Sequence, residues 1–340
     1  MCVKTLCAWK IGKKPNGKDL ITFTAPARAG KGEFLQLPCG QCIECRLERS
    51  RVWAIRCMHE ASLSEQNCFI TLTFNDYFVD PRLSLDKCDF RNFMKRLRKH
   101  LSGGVGQAKR VRYFHAGEYG EQFERPHHHA ILFGFDFPDK VLRRQRDGFN
   151  YYESALLKRL WALNIGEEKA LSLIEDGVNR KQEWVFQYNE EWYFSFGFTE
   201  ISDVTFESCA YVARYCTKKI NGSQAEEHYS IVDEQGNVYK REPEFSTMSR
   251  RPGIGLEWYE KYKDTDVWAH DRVHIRGNKF CTPPRYYGNK FEISNPVEYT
   301  SIKEKRLKKM KDNPDNRFER QPVREAVKMA QFSMLKRSLT

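Results

Sequence analysis

The segment PHHHAILFG (126–134) constrains the fold more than any other part of the sequence. Three histidines directly precede four apolar residues, and a glycine follows them. Side chains alternate along a strand, so His127 and His129 would share one face while His128 would lie on the other. Two imidazoles at this spacing can bind one metal ion. The segment therefore predicts a strand in a sheet with a metal on one face.

A third ligand is expected from Glu118, which lies nine residues before His127. Residues 120–125 are typical of a hairpin loop, which would place Glu118 on the adjacent strand. Two imidazoles and one carboxylate with open positions suit Mg²⁺, Mn²⁺ or another divalent ion that acts as a Lewis acid. The alternative is a surface cluster of histidines that binds no metal.

The segment CAYVARYCTKK is the second feature that indicates chemistry. On a helix Tyr211 and Tyr215 are four residues apart, Lys219 continues their face, and Arg214 and Lys218 each follow a tyrosine by three residues. A phenol can attack a phosphodiester, and nearby cations would lower its pKa from about 10 and neutralise the charge on phosphorus. The alternative is that both tyrosines pack in the core of an amphipathic helix.

Hydrophobic periodicity predicts an α+β fold, because antiparallel strands alternate with helices and no glycine-rich phosphate loop follows a strand. Polar, irregular sequence is expected from about 220 to 300, and a basic, helix-prone tail after it. The expected elements are helices at about Glu44–Ser62, Leu85–Leu101, Leu156–Leu163 and Thr205–Lys219, strands at Cys68–Phe74, Val111–Ala116 and His127–Phe135, and a hairpin of Trp184–Tyr188 with Trp192–Phe198.

A cysteine cluster precedes the first helix. Cys39, Cys42 and Cys45 form C-x2-C-x2-C, a spacing that chelates zinc or an iron–sulfur cluster, although the fourth Cys-Pro of ferredoxins is absent. Without a secretory signal, the 11 cysteines are expected to be reduced. The alternative is three free thiols. The fourth ligand of a structural Zn²⁺ site would be Cys7 or Cys2, with Cys57 and His59 as poorer candidates.

The net charge of +12 indicates a polyanionic partner such as DNA. Residues 91–117 contain no acidic side chain and could line a DNA groove, although a solvated face is the usual explanation for such a run. Aromatic residues between 258 and 287 could stack single-stranded bases. No apolar run reaches the length of a membrane span. The candidate DNA-binding residues are Arg91, Lys95, Arg96, Lys99, Arg110, Arg214, Lys219 and Arg285.

The motifs resemble a known family. FITLTFND (69–76), PHHHAILFG (126–134) and AYVARYCTKK (210–219) are similar to motifs I, II and III of the HUH rolling-circle replication initiators, in that order. With PCGQCIECR, MSRRPGIG and PPRYY, the resemblance extends over roughly residues 38–290 to the replication initiators of gokushovirus-type microviruses. Two departures are His128, where the family has a bulky apolar or aromatic residue, and an insertion at about 166–193.

The resemblance implies an HUH endonuclease fold with a central five-stranded antiparallel sheet. Glu118, His127 and His129 would bind Mg²⁺ or Mn²⁺, with a shift of register to His128 as an alternative. Tyr211 and Tyr215 would act in turn as nucleophiles that form a 5′-phosphotyrosyl adduct, and Lys218 would assist at the phosphate.

It also implies a cysteine-rich segment at 1–62, a nickase domain at 63–222 with an insertion at about 137–197, and a basic DNA-contacting region at 223–340. The partners would be the origin DNA of the phage replicative form and the host helicase and polymerase, in the host cytoplasm. The rival functions are a non-enzymatic zinc-clip DNA-binding protein and a related HUH relaxase or transposase.

Overall fold

A computed structural model describes residues 2, 4–15, 19–26, 32–103, 110–120, 122–215, 224–232 and 235–334. The strands are β1 (Leu6–Lys13), β2 (Asp19–Thr22), β3 (Glu33–Leu37), β4 (Asn67–Leu72), β5 (Arg112–Tyr119), β6 (Pro126–Phe133), β7 (Val141–Arg146), β8 (Phe149–Glu153), β9 (Ala162–Ile165), β10 (Val185–Tyr188), β11 (Glu191–Ser195), β12 (Thr199–Ser202), β13 (Ser230–Val232), β14 (Val238–Lys240), β15 (Phe245–Met248), β16 (Val273–Arg276) and β17 (Lys279–Cys281). The α-helices are α1 (Ile43–Ala61), α2 (Lys87–Ser102), α3 (Ala155–Leu160), α4 (Glu167–Glu175), α5 (Phe206–Tyr215), α6 (Gln224–Tyr229), α7 (Leu256–Tyr262), α8 (Arg285–Ser294), α9 (Pro296–Asp312) and α10 (Gln321–Ser333).

The chain divides into two compact units. Residues 1–51 and 288–340 form one, and residues 52–287 form the other. The first unit contains the antiparallel sheet β2-β1-β3 and helices α9 and α10. None of the described helices is long and apolar enough to span a membrane.

The second unit is built on a seven-stranded sheet in the order β15-β5-β6-β4-β12-β8-β7. Every neighbouring pair in this sheet is antiparallel. The prediction of a large antiparallel sheet with helices is confirmed, but the strand number of five is wrong. Strand β15 adds to one edge, and the hairpin β7–β8 extends the other.

One face of this sheet holds the main apolar core. Helix α2 covers it with Phe90, Phe93, Met94 and Leu97, a spacing of three, four and seven residues that puts these side chains on one stripe. The side chain of Asp86 caps the helix by accepting a hydrogen bond from the backbone N–H of Cys88 at 2.7 Å. This packing leaves the opposite face of the central strands for other side chains.

The opposite face is packed by α1 and α5. Trp53 of α1 lies 4.9 Å from the ring of Phe114 on β5, and Tyr211 of α5 lies 6.3 Å from the ring of Phe69 on β4. Helix α5 contacts both β5 and β6. The tyrosine helix therefore lies on the face that carries His127 and His129.

Two local predictions differ from the structure. The helix predicted at Leu156–Leu163 ends at Leu160, because Ala162–Ile165 pairs with β11 as a strand. The region from 220 to 300, expected to be irregular, contributes β15, α7 and α8. In both places tertiary pairing and packing outweigh local propensity.

Candidate active site

The structure brings Glu118, His127 and His129 together at one end of the β5–β6 hairpin. Glu118 is directly opposite His127 in the strand register, and His129 follows two residues later on the same face. The Oε1 atom of Glu118 lies 2.7 Å from Nε2 of His127 and 2.9 Å from Nε2 of His129. The candidate ligand atoms are all within 4.8 Å of one another. Two imidazole nitrogens and a carboxylate oxygen at this spacing fit a divalent cation.

Two further groups orient the imidazoles. Nδ1 of His129 lies 3.0 Å from the hydroxyl oxygen of Thr71 on β4, and Nδ1 of His127 lies 3.1 Å from the carbonyl oxygen of Arg125. Partners on Nδ1 direct each Nε2 towards the same point, as is usual for histidines that bind metals. Neither partner was predicted. The alternation of CFITLTF separates Thr71 from Ile70 and Leu72, but it does not reveal that Thr71 is opposite His129.

The electrostatics of the cluster favour the protonation states that bind metal. Burial alone would raise the pKa of Glu118, but hydrogen bonds from His127 and His129 lower it to about 2. Burial lowers the pKa of His129 to about 4. At neutral pH Glu118 is therefore charged and His129 is neutral, and a cation would not have to displace a proton from either group.

His128 lies on the other face of the sheet. It is fully buried, with Nδ1 3.1 Å from Nε2 of His115 and its ring packed near Phe74 and Trp161. The alternative register, in which His128 would be a ligand, does not occur in this structure.

Tyr211 lies beside the cluster. Its ring centroid is 5.3 Å from that of His129, with the rings nearly perpendicular, and its exposure is 4%. The guanidinium of Arg214 lies 5.7 Å from the centre of the Tyr211 ring. Tyr215 is in the last described turn of α5. The Tyr215 side chain and the residues Lys218 and Lys219 lie outside what the structure describes.

His127 reaches solvent through a cavity of about 380 Å³, which is also lined by Arg125, Asp76 and Tyr77. The guanidinium of Arg125 is 2.5 Å from the carboxylate of Asp76. The side chain of His127 is 18% exposed, whereas His129 and Glu118 are buried. The cavity therefore gives a phosphate a path to one edge of the cluster.

A second cluster of metal-ligating side chains lies in the first unit. Sγ of Cys2 is 3.5 Å from Sγ of Cys39 and 3.7 Å from Sγ of Cys42, and the four sulfurs, including that of Cys45, are within 4.8 Å of one another. Tetrahedral zinc with Zn–S bonds of about 2.3 Å requires sulfurs about 3.8 Å apart. The four thiols therefore fit zinc.

The loop between Cys39 and Cys42 supports this arrangement with its backbone. The N–H groups of Gln41 and Cys42 donate to Sγ of Cys39, at 3.4 and 3.2 Å. Burial alone would raise the pKa of Cys39, but these bonds lower it to about 7. Gly40 has φ +74°, a left-handed conformation in which glycine is not strained.

The fourth cysteine of this cluster is Cys2, and Cys7 is not part of it. Cys7 is exposed on β1, where it pairs with Gln36. The poorer candidates Cys57 and His59 are also elsewhere: Cys57 is buried, and His59 hydrogen-bonds the hydroxyl of Tyr287 at 2.9 Å.

The predicted DNA-binding residues separate into two groups. The first is exposed and contains Arg91, Lys95, Lys99, Arg110 and Arg285. Arg96 and Arg214 are half-buried, and Nε of Arg96 donates to the carbonyl of Leu160 at 2.7 Å. The suggestion of base stacking is wrong for Tyr259, Trp268 and Tyr287, because all three are buried in the core.

Comparisons with known proteins agree with the motifs. Residues 67–220, from the start of β4 to just beyond α5, match the family model of the replication-associated protein ORF2. No solved structure matches the chain.

Three phage proteins are similar over most of this chain. The replication-associated protein VP4 of Bdellovibrio phage phiMH2K is 28% identical over 82% of this chain and 76% of its own length. The replication-associated protein ORF2 of Spiroplasma virus 4 is 29% identical over 80% of this chain and 73% of its own. The replication-associated protein ORF4 of Chlamydia phage 1 is 30% identical over 74% of this chain and 52% of its own. The resemblance to phage replication initiators is thereby confirmed.

Proposed function

We propose that this chain, which resembles the phage replication-associated proteins, initiates rolling-circle replication of a single-stranded DNA phage as a metal-dependent tyrosine endonuclease. The observation that carries the proposal is the contact of Tyr211 with His129 in the Glu118–His127–His129 cluster. A nucleophile and a Lewis-acid site at this distance can act on the same phosphodiester.

The chemistry is a transesterification. The phenol oxygen of Tyr211 or Tyr215 attacks phosphorus and loses its proton, and the bond from phosphorus to the 3′ oxygen breaks. That oxygen takes up a proton, so that a free 3′-OH remains for a host polymerase while the 5′ phosphate stays on the tyrosine. A divalent cation bound by Glu118, His127 and His129 would polarise a phosphate oxygen. Tyr211 is largely covered in the DNA-free protein, so entry of the strand must uncover it.

Two tyrosines allow a second transfer. After one round of synthesis, the unused tyrosine would cut the regenerated origin, and the 3′-OH released by this cut would attack the first phosphotyrosine. Each step exchanges one phosphoester for another, so closing the displaced strand into a circle needs no external energy source. Lys218 is proposed to neutralise the phosphate in this step. The host helicase would separate the strands.

The proposal is tested by incubating the protein with a library of single-stranded origin fragments and Mn²⁺. We expect a protein–DNA adduct that survives denaturing electrophoresis, has one junction sequence and is absent with EDTA. A zinc-clip DNA-binding protein would retain DNA without an adduct. A relaxase or transposase would form adducts on plasmid transfer origins or transposon ends but not on a phage origin.

We also propose that Cys2, Cys39, Cys42 and Cys45 bind a structural Zn²⁺. Cys2→Ser is expected to reduce the bound zinc from about one per chain to well below half and to lower the midpoint of thermal unfolding, because zinc binding contributes to folding. Elemental analysis after gel filtration measures the metal. In Co²⁺-substituted protein, the thiolate charge-transfer absorption reports how many sulfurs bind.

Cys7→Ser is the matched control, since it makes the same substitution five residues further along. It should keep its zinc and its cobalt spectrum. Equal metal loss in the two variants, or none in either, would contradict the assignment of Cys2.

A further inference from the structure

A groove of about 870 Å³ in the second unit lies between the C-terminal end of α2, the first residues of β5 and the segment that follows β15. Its wall is strongly basic, although its residues come from three separate parts of the sequence. No acidic side chain is among the described residues that line it. The cationic lining residues are Arg98, Lys99, Arg110, Arg112, Arg250 and Arg251.

Two of these six cations are held by neighbouring protein groups. Arg112 forms a buried ion pair with Glu60, and Nη2 of Arg110 donates to the carbonyl of Arg251 at 2.5 Å. The other four, Arg98, Lys99, Arg250 and Arg251, are exposed. Four exposed cations around one groove repel each other, and an anion with several charges relieves that repulsion.

The lining favours phosphates over bases. Tyr113 is the one aromatic side chain among the described lining residues, and it is half-buried, with its ring 5.2 Å from Phe90 and 5.9 Å from the Arg98 guanidinium. A groove that binds single strands usually offers successive aromatic rings for the bases. A groove with cations and no stacking platform suits the backbone of a duplex.

The groove is remote from the candidate active site. Arg112 and Glu118 are at opposite ends of β5, and six residues at about 3.4 Å each place them about 20 Å apart. That distance is roughly six base pairs of duplex. A DNA contact there would not touch the phosphate that is cut.

We propose that this groove is a second nucleic-acid site, which binds the phosphate backbone of duplex DNA beside the nicked strand. This inference rests on the proposed nicking function for its biological setting, but binding at the groove can be measured without any cleavage. The second site would hold the origin while the strand in the active site is exchanged.

The test removes the four exposed cations with Arg98→Gln, Lys99→Gln, Arg250→Gln and Arg251→Gln in one variant. We expect the affinity for a 30-base-pair duplex to fall at least about 10-fold near 100 mM salt. The slope of log affinity against log salt should fall by about 2 to 4, or nearly one for each phosphate contact. Fluorescence anisotropy at several salt concentrations measures both quantities. A single strand of equal length should lose less affinity than the duplex.

The matched control removes four exposed cations elsewhere, with Arg143→Gln, Arg146→Gln, Lys169→Gln and Lys181→Gln. It should keep the wild-type slope. Replacing Arg98, Arg250 and Arg251 by lysine should also keep the affinity, since the backbone is recognised through charge. Equal losses in the groove and control variants, or loss in the lysine variant, would overturn the proposal.

Cleavage separates the second site from the first. The groove variant should form wild-type amounts of adduct on a short single strand that spans only the nick. Loss of that adduct would place the groove in the nicking site and overturn the inference. An absence of adduct in the wild-type protein would instead refute the proposed nicking function and leave the duplex comparison intact.

Discussion

Replacing Tyr211 and Tyr215 together by phenylalanine is expected to abolish the covalent DNA adduct, with a loss of at least about 1,000-fold, while DNA affinity changes by less than about twofold. The change removes two hydroxyl groups and keeps both rings, so the packing of Tyr211 against His129 and Phe69 is retained. Denaturing electrophoresis with a labelled oligonucleotide measures the adduct, and fluorescence anisotropy measures the binding.

The single variants and one control sharpen this result. Either single variant should still form an adduct on a first cut, but neither should complete the second transfer to a closed circle. Tyr77→Phe is the matched control, because Tyr77 is an exposed phenol that lines the same cavity as His127. It should behave like the wild type. An adduct that survives in the double variant but disappears in Tyr77→Phe would move the nucleophile to the loop after β4.

Local sequence was sufficient to predict the hairpin that carries the metal candidates. A loop of six residues between Tyr119 and Pro126 permits one register that is compatible with both strands, and it places Glu118 opposite His127. The apolar spacing of α1 and α2 likewise gave their bounds to within about two residues, since each helix buries one continuous stripe. Where a feature depends on neighbours in the chain, the pattern contains the information.

Features that join distant segments were beyond the same reasoning. Strand β15 pairs with β5 across more than a hundred residues, and this pairing brings Arg250 and Arg251 near Arg98. The choice between Cys2 and Cys7 also depends on how β1 leads away from the cluster, because both cysteines have the same local chemistry. Such contacts are decided by tertiary packing, to which composition and periodicity are blind.

Replacing a residue of the metal cluster is expected to have the second large effect. His129→Ala and Glu118→Gln should each lower Mn²⁺-dependent adduct formation by at least about 100-fold, because the first removes a nitrogen ligand and the second removes the negative charge without changing the shape. Mn²⁺ titration followed by electron paramagnetic resonance measures the affinity directly, since bound Mn²⁺ loses the signal of the free ion. DNA binding without metal should persist in both variants.

A positioning variant distinguishes metal binding from mere packing. Thr71→Val keeps the volume but removes the hydroxyl next to Nδ1 of His129, so the Mn²⁺ affinity should fall by about 10-fold. Higher Mn²⁺ should then restore the maximal rate, which it cannot do if Thr71 only stabilises the fold. His270→Ala, at an exposed histidine, should leave the titration unchanged. Wild-type Mn²⁺ dependence in His129→Ala and Glu118→Gln would show that the cluster is not the site at which the cation acts, and the proximity of Tyr211 to His129 would then be packing alone.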